Sequence, residues 1–193
     1  GKASKNAFQE GLNIPPKFKN HALEAIADFV SERTNLILEQ NRIDVDLARK
    51  KNTLPSKVDR LLLDRARISS IIGSLRLIAN QKDPTGVILE EWSRPSGINI
   101  QKISTPIGVI GIIYESRPNV TTDAAALCIK SGNAAILRPG SESYLSATSL
   151  FECIQLGLQA ANLPEKLVQI IPTKAKEAVE EMLCLNKYID VLV

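Results

Sequence analysis

Gly108-Val109-Ile110-Gly111-Ile112-Ile113-Tyr114-Glu115-Ser116-Arg117-Pro118-Asn119, then Ala134-Ala135-Ile136-Leu137-Arg138-Pro139-Gly140-Ser141, holds two apolar runs that each end in a polar corner. Between them lies a helix-compatible segment with Ala124, Ala125, Ala126, Leu127 and Ile129, closed by Gly132-Asn133. Short continuous apolar runs bounded by turn residues are the pattern of strands buried on both faces. Two such strands joined by a helix form a parallel β–α–β unit, with its polar corners at the carboxyl ends of neighbouring strands. Open α/β sheets bind their ligands at those ends.

Outward from this unit the alternation continues. The pattern predicts strands at 107–113, 134–138, 168–171 and 188–193, and helices at 120–131, 143–161 and 174–184. Right-handed crossovers make this a Rossmann-like parallel sheet with helices on both faces. Upstream, residues 1 to about 82 read as helical. Ala22, Leu23, Ile26, Ala27 and Val30 share one face, and Pro55 suits the start of a further helix. A break is expected near Asn41, and Asp83-Pro84-Thr85-Gly86 is a stop. Between these regions Val87-Ile88-Leu89, Trp92, Ile98 and Ile100 read as a β-hairpin turning at Arg94-Pro95-Ser96-Gly97. The expected organisation is therefore a helical part over 1–85, a β arm over 86–106 and a Rossmann-like part over 107–193. The last run, Ile189-Asp190-Val191-Leu192-Val193, stops in mid-strand, so the reading expects a longer parent protein.

Composition excludes several functions. A net charge of +3 without basic clusters, and 4% aromatic residues, give no basis for nucleic-acid binding. No apolar run has the length of a membrane span. Three cysteines without close spacing, Cys128, Cys153 and Cys184, suggest neither a disulfide framework nor a zinc site, and fit a reduced cytoplasmic protein. All three are expected in helices, with Cys128 buried, and His21 is expected at the surface. No dinucleotide glycine turn and no phosphate-loop signature is present.

The corners carry the candidate chemistry. Arg117 offers five donors to an anion, and the Asn119 amide can donate to an oxyanion or cap the following helix. Arg138 can take a phosphate, and Ser141 stands where a helix N-terminus favours anions; the alternative is a surface arginine beside an N-cap serine. Residue chemistry alone reaches a ligand-binding α/β domain.

The run from Pro106 to Glu142 resembles the gamma-glutamyl phosphate reductase family of the aldehyde dehydrogenase superfamily. The strings Tyr114-Glu115-Ser116-Arg117-Pro118-Asn119-Val120 and Leu127-Cys128-Ile129-Lys130-Ser131-Gly132-Asn133 carry the likeness, supported by Glu91-Trp92-Ser93-Arg94-Pro95-Ser96-Gly97 and Gln169-Ile170-Ile171-Pro172-Thr173. It covers the whole chain but about the first half of the family's length. The resemblance implies NADPH-dependent reduction of L-glutamyl 5-phosphate to L-glutamate 5-semialdehyde and phosphate, in proline biosynthesis. It also implies homo-oligomerisation through the arm and functional coupling to glutamate 5-kinase. The catalytic cysteine belongs to a later segment, so the 193 residues alone are expected to be inactive. Aldehyde dehydrogenases carry Lys-x-x-Glu after the second strand, where this chain has Arg138-Pro139-Gly140-Ser141. Loss of the acidic residue and gain of Arg138 favour a 2′-phosphate, with Glu142 and Thr173 completing the implied cofactor contacts. Asn119 takes the implied oxyanion role and Arg117 the substrate phosphate or carboxylate. Other readings are a different acyl-reducing member of the superfamily, or a nucleotide-binding module without catalysis.

Overall fold

The structure is a computed structural model that describes residues 1–193. It opens with five helices: α1 (Lys2–Gly11), α2 (Pro16–Glu32), α3 (Thr34–Lys50), α4 (Pro55–Leu61) and α5 (Arg65–Asn80). The expected apolar face of α2 is real, because Ala22, Leu23, Ile26, Ala27 and Val30 are all buried. Each large aliphatic side chain so buried stabilises the fold by about 1.5–3 kcal/mol before chain entropy is counted. Prolines open α2 and α4 at their first positions, where a missing N–H costs no helical bond. Asp64 caps α5 by accepting from Arg67 N at 2.7 Å.

One expectation fails here. The helix does not break at Asn41; α3 runs unbroken from Thr34, and the interruption lies one residue earlier, at Arg33. Asn41 is instead buried, donating to Leu61 O at 2.8 Å and Ser146 Oγ at 3.0 Å and accepting from Leu63 N at 2.7 Å. Its polarity serves distant partners and leaves its own helix intact.

The hairpin follows, with β1 (Ile88–Ser93) and β2 (Asn99–Ile103) antiparallel and Trp92 opposite Ile100. Arg94 and Ile98 close the turn, as expected, through Arg94 N to Ile98 O at 2.9 Å. Every β1 residue is exposed. The hairpin's root is tightly held, with Gly86 N donating to Ser104 O at 2.9 Å. Beside it, Asp83 pairs with the buried Lys19 at 2.5 Å. Lys130 donates to Asn20 Oδ1 and Ala79 O, both at 2.7 Å, in the same buried polar layer.

Then come β3 (Val109–Tyr114), α6 (Val120–Lys130), β4 (Ala134–Pro139), α7 (Tyr144–Ala160), β5 (Val168–Ile170), α8 (Glu177–Leu183) and β6 (Val191–Leu192). The four strands form one parallel sheet in the order β5-β4-β3-β6. The fold class is as expected: an α/β sandwich around a continuous parallel sheet. The order advances from β3 through β4 to β5, then reverses to place β6 on the other side of β3. Helices α6 and α7 pack on α2, and α1 lies against β3 and β4. Gly157 lets α7 approach α2 closely, since a Cβ there would sit 2.8 Å from Ile26 N.

Two C-terminal elements are shorter than expected. The helix covers only Glu177–Leu183, and Cys184 stands just past it, exposed. The strand assigned to 188–193 contracts because Tyr188 N and Ile189 N both donate to Leu185 O. Asp190 turns its side chain back to accept from Val109 N at 2.8 Å and pairs with Lys5 at 2.7 Å. Gly108 makes room for that carboxylate; its φ of 138° and the space its absent Cβ leaves beside Asp190 both require glycine.

Candidate functional site

The two polar corners lie side by side at the carboxyl ends of β3 and β4, where Tyr114 is in register with Pro139. Each opens onto its own cavity.

The larger, about 860 Å³, is walled by the end of β3, the turn after β4, the loop leading to α8 and one side of α3. This size lies within the range of small-molecule sites. Arg138, Ser141 and Glu142 all line it. Arg138 is 7% exposed, which excludes the surface-arginine alternative. Its guanidinium donates to Pro139 O at 2.8 Å, Ala175 O at 3.2 Å and Lys174 O at 3.4 Å, while its buried Nε has no partner. Arg138 thus fastens the loop before α8 to the sheet and retains one free donor. Ser141 does not cap a helix; it is exposed and begins a short 3-10 turn, Ser141–Ser143, after Gly140. Glu142 turns to the first corner, where its carboxylate accepts from Ser116 Oγ at 2.7 Å and Ser116 N at 3.1 Å. Burial works against its charge, yet those hydrogen bonds hold its carboxyl below the usual range. Thr173 is exposed and accepts from Ala175 N at 3.1 Å, shaping the loop; it does not line this cavity.

Sequence reasoning missed the cavity's cations, because they come from three separate elements. Lys51, Lys57, Lys174 and Lys176 all face it. Lys174 lies 5.1 Å from the centre of the Tyr144 ring, and Lys57 is 4.0 Å from Glu115. Asp44 was missed as well. It receives Ser146 N at 2.8 Å and Ser146 Oγ at 2.7 Å, so a carboxylate of α3 sits at the first turn of α7. Burial raises its carboxyl above the ordinary value despite these bonds.

The smaller cavity, about 350 Å³, lies between the first corner and the α4–α5 elbow, and holds Arg117, Asn119, Asp123, Arg60, Arg67 and Ser70 among its lining. Asn119 is the residue preceding α6 but does not cap it; its amide donates to Asp123 at 2.9 Å instead. Arg117 is exposed and makes no ion pair. Behind the corner, the Tyr114 hydroxyl meets Thr121 at 2.7 Å, and burial drives its phenol far above its ordinary value.

None of the cysteines faces either cavity. Cys128 and Cys153 are buried, as expected for the first, and burial pushes their thiols up to about 12 and about 11. Neither holds the thiolate that nucleophilic attack requires. No cluster of metal-ligating side chains exists, no helix is long and apolar enough to cross a membrane, and His21 is exposed.

The sequence pattern of the aldehyde dehydrogenase family matches residues 2–192. The chain belongs to that family. A curated relative named gamma-glutamyl phosphate reductase, from Clostridium novyi, is 50% identical over 98% of the chain. The chain spans 46% of that relative's length. The crystal structure of gamma-glutamyl phosphate reductase from Thermotoga maritima superposes with a TM-score of 0.96 at 38% identity, covering 99% of this chain and 46% of that one. A glyceraldehyde-3-phosphate dehydrogenase from Methanocaldococcus jannaschii, solved in complex with NADP, shares the fold at a TM-score of 0.68 and 20% identity, over 99% of this chain and 39% of its own.

Proposed function

We propose that this chain provides the cofactor side and the substrate-anion corner of an enzyme that reduces L-glutamyl 5-phosphate with NADPH to L-glutamate 5-semialdehyde and phosphate. The observation that carries the reading is the pair of cavities at adjacent strand ends, one lined by Arg138 and four lysines interspersed with carboxylates, in a chain half identical to a protein of that name.

The larger cavity suits a dinucleotide phosphate. Arg138 has a buried, unpartnered Nε there; its charge and those of four lysines, set against Asp44, Glu115, Glu142 and Glu180, leave the lining one positive charge in excess without a glycine-rich turn. Ser141 stands where a carboxylate would repel a 2′-phosphate, and the Glu142 carboxylate, still charged, is turned towards Ser116 at the first corner. Thr173 contributes by holding the loop that Arg138 fastens. When bound, the nicotinamide supplies the hydride. This chain's own residues orient the reactants: Arg117 takes a substrate anion, and the Asn119 amide, with one N–H engaged by Asp123, directs the other at the acyl oxygen. We place the nucleophilic cysteine outside these 193 residues, with the exposed hairpin as an oligomerisation arm. An acyl phosphate is a labile kinase product, so coupling to glutamate 5-kinase in the cytoplasm belongs to the same reading.

The test is NADPH consumption with L-glutamyl 5-phosphate by a reductase that carries this chain, with NADH compared in wild type and Ser141→Glu. Repulsion of a phosphate by one added carboxylate is worth about 1–2 kcal/mol in water. The NADPH-over-NADH ratio of kcat/KM should therefore fall by roughly tenfold. Equal losses with the two cofactors would remove Ser141 from 2′-phosphate recognition.

A further inference from the structure

The smaller cavity has an electrostatic imbalance that the reductase reading leaves unused. Within its wall, Arg67 and Asp59 neutralise each other at 2.9 Å, and Arg67 also donates to Leu62 O at 2.6 Å. Asp123 has no such partner. It is half-buried on the first turn of α6, its single side-chain hydrogen bond comes from the neutral Asn119 amide, and no cation lies within 4.0 Å. Burial raises its carboxyl above the ordinary value, the expected response of a carboxylate taken from water without compensation. Arg117 and Arg60, lining the same cavity, are the complementary case: exposed cations with neither an ion pair nor a side-chain hydrogen bond, Arg117 on the corner that leads into the helix of Asp123 and Arg60 across the cavity on α4.

A purely anionic ligand would satisfy Arg117 and be repelled by Asp123. A purely cationic ligand would do the reverse. A ligand carrying an ammonium and a carboxylate on one carbon satisfies both, and the Ser70 hydroxyl on the opposite wall, whose proton goes to Ala66 O at 3.0 Å, adds a neutral acceptor.

We propose that Asp123 anchors the α-ammonium group of an α-amino acid, with Arg117 taking its α-carboxylate, so that this cavity selects amino-acid head groups. The proposal rests on the reductase reading only for the identity of the reacting end. It makes Asp123 a specificity determinant: the head group is fixed at Asp123 and Arg117, and the acyl end extends past Asn119, four residues before Asp123 on the same turn.

The experiment titrates the full protein calorimetrically with L-glutamate and with glutarate, which has the same two carboxylates and lacks the amino group. Wild type should bind L-glutamate at least tenfold more tightly. Asp123→Asn should erase that preference by weakening L-glutamate alone, and Asp123→Glu, which keeps the charge, should restore most of it. Thermal unfolding of each variant shows that the fold persists. Equal affinity of wild type for the two ligands would overturn the proposal, as would an Asp123→Asn variant that loses both alike. Glutamate discrimination that persists in a protein unable to reduce L-glutamyl 5-phosphate would support the amino-acid site and overturn the reductase reading instead.

Discussion

Replacing Asn41 by leucine keeps the branched heavy-atom skeleton, with somewhat bulkier methyl ends, and removes its hydrogen bonds. Leu61 O and Leu63 N, on residues 1% and 7% exposed, then lose their side-chain partner in a closed environment. An orphaned buried backbone group costs about 1–3 kcal/mol, so the two together cost roughly 2–6 kcal/mol. Ser146 Oγ is affected little, because it still donates to Asp44 at 2.7 Å. The loss is a large share of the ~5–15 kcal/mol that holds a typical domain folded. It falls on the elbow between α4 and α5, which carries one wall of the smaller cavity. Urea unfolding followed by circular dichroism measures it. The midpoint should drop with the slope against denaturant unchanged. Hydrogen exchange should show the Leu63 amide losing protection before the amides of α2. A stability loss below about 1 kcal/mol would mean that water or a rearranged elbow satisfies both groups, and the account of Asn41 as a long-range fastener would fail.

Acid should act through Asp190. The hydrogen bond from Lys5, aided by Val109 N, holds its carboxyl below the ordinary value. Its contribution to stability is therefore fully present above the unfolded value near ~3.9 and is lost as pH falls through the lower folded value. The difference in urea midpoint between wild type and Asp190→Asn should be steady from pH 7 to about 5 and shrink below about 4; a gap that does not change with pH would count against the ion pair. The arm is tested by Ile98→Lys with Ile100→Lys, which put charge on the exposed residue that closes the turn and on a half-buried position of β2. Sedimentation velocity should show a smaller assembly, and an unchanged profile would exclude this surface from oligomerisation.

Much of the fold was legible because it is encoded locally. Val109 to Ile113 and Ala134 to Leu137 are continuous apolar runs, and α2 repeats its buried positions with helical period. The Arg94–Gly97 turn is written in four consecutive residues. What the sequence hid is polar chemistry that acts across the chain. Asn41 looks like a helix breaker in its own neighbourhood, and only its partners from Leu61 to Ser146 explain it. Arg138 was legible as a cation at the right corner, but its engagement with the carbonyls of Lys174 and Ala175 depends on how the chain returns beside β4. Asp123 reads as an ordinary first-turn acid. Its significance appears only when Arg117 and the α4–α5 elbow close around it. The shortened last strand has a similar origin, since Asp190 uses its side chain where a longer strand would use backbone.

The hairpin leaves and re-enters the molecule at adjacent points, with Gly86 N against Ser104 O and the Lys19–Asp83 pair holding the exit. To the rest of the molecule, everything from Val87 to Ile103 is a loop already closed. The entropic penalty of extending a closed loop grows only with the logarithm of its length, about 0.6 kcal/mol for a doubling. The arm can therefore be lengthened, trimmed or recoded with little effect on the sheet. Its reach and surface are free to diverge at a rate that β3 and β4, bound to one another residue by residue, cannot match.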